Sequence, residues 1–155
     1  MPNSISKILA LPLTDRWLHF VAFIYLTAAS AALNLLPEHK LISTEPDIAA
    51  PTPAGVSRQE QIDRATHVSN AVVRVASHCF WHPTCLPQAL AAMWMLRRAN
   101  IPAYLQLGVK KSGPTIEAHA WVELYEQVII GGQTRHEYQE LNRTGKHHQK
   151  LSGSS

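Results

Sequence analysis

Near Ile101-Pro102 the hydrophobic repeat of this chain changes from helical to alternating, and that change constrains the fold more than any other feature. Before it, apolar residues recur at three- and four-residue steps. After it, Tyr104-Leu105-Gln106-Leu107-Gly108-Val109 and Glu117-Ala118-His119-Ala120-Trp121-Val122-Glu123-Leu124 alternate. The first period belongs to amphipathic helices and the second to half-buried strands. Helices followed by strands, rather than interleaved with them, predict an α+β domain with a short antiparallel sheet. A chain of 155 residues has room for one such domain with one moderate core.

Residues 17–36 form a run of 20 positions without Asp, Glu, Lys or Arg, the length of a membrane-spanning helix. Lys7 and Arg16 precede the run and Ala29-Ser30-Ala31 resembles a small-residue cleavage site, so a signal peptide fits as well. His19, Thr27, Ser30 and Asn34 dilute it, and Leu18, Val21, Ala22, Tyr25, Ala29, Ala32 and Leu33 make a helical stripe, as in a core or partner-facing helix. Pro37 ends this helix, and Pro46, Pro51, Pro53 and Gly55 make 43–56 a linker. Ser57-Arg58-Gln59-Glu60 has the form of a capping box. Behind it Ile62, Ala65, Ser69, Val72 and Ala76 carry a helix to about residue 79. The next helix opens at Thr84 or Cys85, since Thr is a good N-cap and Pro87 is tolerated in a first turn, and closes near Asn100. Strands are predicted over 104–109, 117–124 and 127–130. Residues 110–116 join the first two, and a tight turn at Tyr125-Glu126 joins the last two. The chain thus divides into an apolar helix and linker (1–56), a compact core (57–142) and a basic, solvated tail (143–155).

A net charge of +3, without a basic stripe interleaved with aromatics, gives no reason to expect nucleic acid. With 46% hydrophobic and 16% charged residues the chain is not disordered throughout, and two cysteines exclude a disulfide scaffold. His78, Cys79, His82 and Cys85 are zinc-ligand types, but they crowd into one helix–helix turn at spacings unlike those of structural sites, so no metal is expected. A Cys79–Cys85 disulfide would require an exported chain. Helix N-termini favour the thiolate form of a cysteine and stabilise a developing oxyanion. Cys85 sits at such a position, and His119, on a strand, has the chemistry of a base and then an acid. A helix-borne Cys with a strand-borne His is the layout of cysteine acyl-transfer enzymes. A Cys at a helix start also serves as a small buried apolar residue.

Four segments in order resemble one family. They are Cys85-Leu86-Pro87-Gln88-Ala89-Leu90-Ala91-Ala92, Leu96-Arg97-Arg98-Ala99-Asn100-Ile101-Pro102-Ala103, Leu107-Gly108-Val109-Lys110, and Ala118-His119-Ala120-Trp121-Val122-Glu123. They resemble the transglutaminase-like cysteine peptidases of lasso-peptide biosynthesis, the B-protein leader peptidases. The resemblance implies a papain-like cysteine peptidase core over 57–142, with Cys85 as nucleophile and His119 as acid–base. It implies cleavage of the leader from a ribosomal precursor peptide, without a cofactor. It also implies a cytoplasmic setting, with a separate leader-recognition protein and an ATP-using lasso cyclase as partners. In that setting 17–36 is a core or partner helix, with weak membrane association as the other expectation.

The family places an Asp about a dozen residues after the His, and this chain has none there; Asp15, Asp47 and Asp63 all precede Cys85. With a two-residue turn at Tyr125-Glu126, Leu124 faces Gln127 and, counting back, His119 faces Gly132. Gln133 is the candidate orienter of the ring, ahead of Glu126 and Glu137; the alternative is a dyad without an orienter, with Gln133 an ordinary loop residue. An amide would hold the ring without stabilising an imidazolium as a carboxylate does. Glu123 shares the His119 face but lies about 13 Å along the strand. Trp121 and Glu123 are expected to line the cleft, Trp81 and His82 to shape the substrate entrance, and Arg97 and Arg98 to form a solvated helix end. Two rivals remain: another transglutaminase-like reaction, amide transfer or deamidation, and a non-catalytic scaffold for the precursor and the cyclase.

Overall fold

The computed structural model describes residues 13–35 and 56–140. Most of the Pro-rich linker and the basic tail lie outside them. Among the described residues three helices, α1 (Leu13–Leu35), α2 (Arg58–Ala76) and α3 (Cys85–Arg98), precede four strands, β1 (Tyr104–Ser112), β2 (Thr115–Leu124), β3 (Gln127–Ile130) and β4 (Gln139–Glu140). A short 3-10 helix, Gly132–Glu137, separates β3 from β4. The sheet is antiparallel with the order β3-β2-β1-β4, as expected of an α+β chain.

Local chemistry sets the helix ends. Ser57 Oγ accepts the Glu60 N–H at 3.2 Å, one half of the capping box, while the Glu60 carboxylate pairs with Arg64 instead. The α2 helix stops at Ala76 rather than near 79, because the chain turns at Ser77 and His78. At the far end of α3, Asn100 takes a positive φ of 55°. The Asn100 N–H bonds the Arg97 carbonyl and the Ile101 N–H bonds the Leu96 carbonyl, both at 2.9 Å. This is a Schellman closure, sealed by the buried Ile101 side chain.

The core lies between the helices and one face of the sheet. Ala22, Leu26 and Ala29 of α1, Ala65 and Val72 of α2, Leu90, Ala91, Ala92 and Leu96 of α3, and Val122 and Leu124 of β2 are all fully buried in it. Alanines at the crossings let backbones approach closely. The α1 helix packs on both α2 and α3, and α3 packs in turn on β2. The apolar run is thus part of the core along one side. Its length and composition would also suffice to cross a membrane, and Trp17, Phe20, Phe23, Ile24 and Leu35 stay exposed on its other side.

Residues 110–116 are not a loop. The hairpin continues through Lys110↔Glu117 to Ser112↔Thr115. Gly113 has a φ of 59° and is followed by Pro114, the combination a type II′ turn requires. At the second hairpin Tyr125 and Glu126 both have positive φ (51° and 68°), as a type I′ turn demands, although neither is Gly or Asn. Tertiary contacts hold that turn. Arg58 donates to the Tyr125 carbonyl at 3.0 Å and lies 4.5 Å over its ring, and the Tyr125 hydroxyl donates to Gln61 at 2.8 Å. Leu26→Ala removes a fully buried side chain from α1 and is expected to cost about 2–5 kcal/mol in urea unfolding. A loss near zero would show that α1 is not part of the cooperative core.

Candidate active site

The turn before α3 is strained. His82 has a φ of 43° in front of Pro83, a conformation costing on the order of 1–3 kcal/mol. Gln88 ties the turn to the helix, its side-chain amide donating to the Pro83 carbonyl at 2.8 Å. Thr84 is the N-cap by its backbone, but its side chain makes no capping bond, and the first turn contains no acid. Pro87 carries no N–H, so the unpaired amides at this positive helix end are those nearest Cys85. Cys85 is half-buried at the first helical position, whereas Cys79 is buried, and both are free thiols. Burial pushes the Cys79 thiol up and disfavours its thiolate.

His119 is held on β2 by backbone and rings. Its Nε2 lies 2.7 Å from the Gly131 carbonyl oxygen. A carbonyl only accepts, so Nε2 is the donor and Nδ1 keeps its lone pair in the neutral ring. Trp121 stacks at 6.0 Å on one side and Tyr138 stands at 5.1 Å. Gly108 pairs with His119 across the β1–β2 ladder. A Cβ on Gly108 would come within 2.8 Å of Trp121 and 2.9 Å of Tyr138, so the missing side chain is what allows the two rings to close around the histidine.

The expected Gln133 bond is replaced by the Gly131 carbonyl. Gln133 is exposed in the 3-10 helix and makes no hydrogen bond to His119. The reason is that the strand stops before it comes level with the histidine. The ladder runs Leu124↔Gln127 and Glu123↔Val128, as counted from the turn, and then skips to Val122↔Ile130. The strand ends there and turns at Gly131, with a φ of 80°. A Cβ on Gly131 would lie 2.7 Å from the Ala120 carbonyl oxygen, so no carboxylate side chain fits at the position where the family pattern leads one to look for it.

Trp121 and Glu123 are buried and support the ring instead of lining a cleft; Trp121 Nε1 donates to Glu123 Oε1 at 3.0 Å. They alternate with Ala120, Val122 and Leu124, which join the helical core. Trp81 is half-buried against Phe80 and Phe23, His82 is exposed, and Glu126 lies in the turn. No hydrogen bond joins the Cys85 thiol to the His119 ring among the described residues. Nor does any group of three or more His, Cys, Asp or Glu suited to a metal occur among them.

Sequence reasoning missed the Gly131 carbonyl, Gly108 and Tyr138. A glycine inside an alternating strand, opposite the histidine, was the available signal for a close approach. Outside Tyr138, Lys110 bridges Glu137 at 2.8 Å and Glu117 at 3.2 Å and lies 4.9 Å over the tyrosine ring. The hydrogen bond from Lys110 holds the Glu137 carboxyl below its ordinary range. For Glu117 the Ser112 hydrogen bond is the first cause and Lys110 the next.

Residues 27–143 match the transglutaminase-like superfamily, and the chain belongs to it. The match begins inside α1 and runs past β4, so it takes in Cys85, His119 and Gly131 together. No curated protein and no solved structure matches the chain. Cysteine-dependent peptidases and acyltransferases are both found in this superfamily, which accords with a free cysteine at a helix start and an oriented histidine on a strand.

Gly108→Ala forces Trp121 and Tyr138 apart and is expected to lower stability by about 1–3 kcal/mol and to shift the His119 ring resonances; unchanged resonances would contradict the cradle. The carboxyls of Glu117 and Glu137 are expected to titrate below ordinary glutamate values in carbon-detected NMR. With lowered values in the folded state, their stabilising contribution is present at neutral pH and is lost as pH falls through them. Lys110→Ala should return Glu137 to the ordinary range and move Glu117 only part of the way.

Proposed function

We propose that this protein is a cysteine peptidase that cleaves the leader from a ribosomal precursor peptide in lasso-peptide maturation, together with a separate leader-recognition protein and a cyclase. The observation that supports it best is the presence of two prepared groups in one transglutaminase-like chain. One is an uncapped, acid-free helix start carrying Cys85, and the other is a His119 ring whose tautomer is set by the Gly131 carbonyl.

The chemistry follows from those groups. The Cys85 thiol gives its proton to His119 Nδ1, and the thiolate attacks the scissile carbonyl. The helix-end amides stabilise the oxyanion. His119 returns the proton to the leaving amine, and a thioester remains on Cys85. Water, deprotonated by the same Nδ1, hydrolyses the thioester, releasing a carboxylate and restoring the thiol. Catalytic hydrogen bonds commonly tighten only around substrate, so the thiol and ring are expected to meet in the complex. A backbone carbonyl preserves the right tautomer but adds no full negative charge beside the imidazolium, unlike the buried aspartate of a catalytic triad. The resulting enzyme is a dyad with a main-chain orienter.

Mass spectrometry of the cognate precursor incubated with the chain and its recognition partner tests this reading. Cleavage is expected from wild type and none from Cys85→Ala. His119→Ala is expected to lose about 10²–10⁴-fold, while Gln133→Ala stays near wild type. Retained cleavage by Cys85→Ala would overturn the mechanism. An adduct with an added primary amine in place of the hydrolysed product would assign amide transfer instead. No cleavage from folded wild type would favour the scaffold.

A further inference from the structure

Beside α1, where the chain turns from α2 into α3, lies a cavity of about 540 Å³, within the size range of ligand pockets. Phe20, Phe23, Val75 and Trp81 give it apolar walls, and Arg16 and Arg74 stand at its edge. No carboxylate lines it, and neither arginine makes an ion pair among the described residues. Phe80, 88% exposed, extends the apolar wall outward. We propose that this groove docks an acidic peptide segment carrying a large apolar side chain, as the part of the substrate remote from the scissile bond. The proposal rests on the peptidase reading of Cys85.

Charge and shape select the occupant. A concave apolar pocket accepts one anchoring side chain, and two unpaired arginines at its edge call for carboxylates next to that anchor. A helix lying on a lipid surface carries cations along its whole polar margin. Here Arg16 is the single Lys or Arg of α1, and it stands at the groove with Arg74. Reach connects the groove to the chemistry. Trp81 precedes Cys85 by four residues, a span of at most about 14 Å of extended chain. A peptide anchored against Trp81 therefore needs no more than a few extended residues to bring a carbonyl to the thiol.

The test selects short random peptides displayed on phage against the full chain carrying Cys85→Ala, which binds without cleaving. Enrichment of Asp or Glu next to Phe, Leu or Trp is expected. The exposed pair Arg16→Glu and Arg74→Glu, with its fold checked by circular dichroism, should reverse the preference to Lys or Arg. It should also weaken a selected acidic peptide by about tenfold or more. Phe23→Ala should remove the apolar preference and leave the acidic one. The same acidic peptides from the reversed variant, or no enrichment from the parent, would overturn the proposal. So would sedimentation of the parent with phosphatidylglycerol vesicles that the reversed variant loses, which would give the surface to lipid. Acidic enrichment alongside a wild-type chain that cleaves nothing would sink the peptidase reading and leave the groove as a peptide-binding site.

Discussion

Burial of α3 on two sides is the constraint on which the molecule depends. One side of the helix meets α1 and α2 through alanines, and the other meets β2. A helix held this way cannot slide or rotate without opening voids, and interiors packed at crystal-like density resist that. Its first residue is Cys85 and its last turn closes in a Schellman motif. The placement of the thiol is therefore a consequence of core packing, and the strained His82-Pro83 step is where the chain accommodates it.

The histidine is positioned by a different principle. Where a triad enzyme uses a carboxylate, this chain uses a strand end, a glycine and a main-chain carbonyl. The glycines at 108 and 131 are both places where a Cβ would collide with neighbours within 3 Å, so the missing side chain is what the packing around the histidine requires at each. The Lys110 cluster with Glu117 and Glu137 secures Tyr138 from outside. Being exposed, it orders a surface more than it stabilises the fold.

The first helix shows how one segment can meet two demands. Its inward stripe of small residues and Leu26 belongs to the core, while Trp17, Phe20 and Phe23 stay exposed on its outer side. An apolar run that is buried on one side and exposed on the other has the composition of a membrane span, and hydropathy cannot separate the two cases.

Periodicity, capping and turn residues were enough to read three helices, three strands, the tight turn at Tyr125-Glu126 and the places of Cys85 at a helix start and His119 on a strand, because these depend on local sterics and on which side of an element is apolar. Locality also explains the errors. The hairpin at Gly113-Pro114 looks like a loop in the sequence because its end strands are polar, and β4 is too short to show a period. Gln133 follows from counting a ladder that continues past Ile130, and the strand ends there. Where a strand ends, and which backbone carbonyl then reaches a ring, depends on how β2 and β3 settle against α2 and the helical core. The sequence by itself determined the three helices, the inner parts of three strands and the places of Cys85 and His119 on them. The tertiary structure alone decided that a glycine carbonyl orients the histidine, because a main-chain oxygen is common to every residue and leaves no signature in the order of side chains.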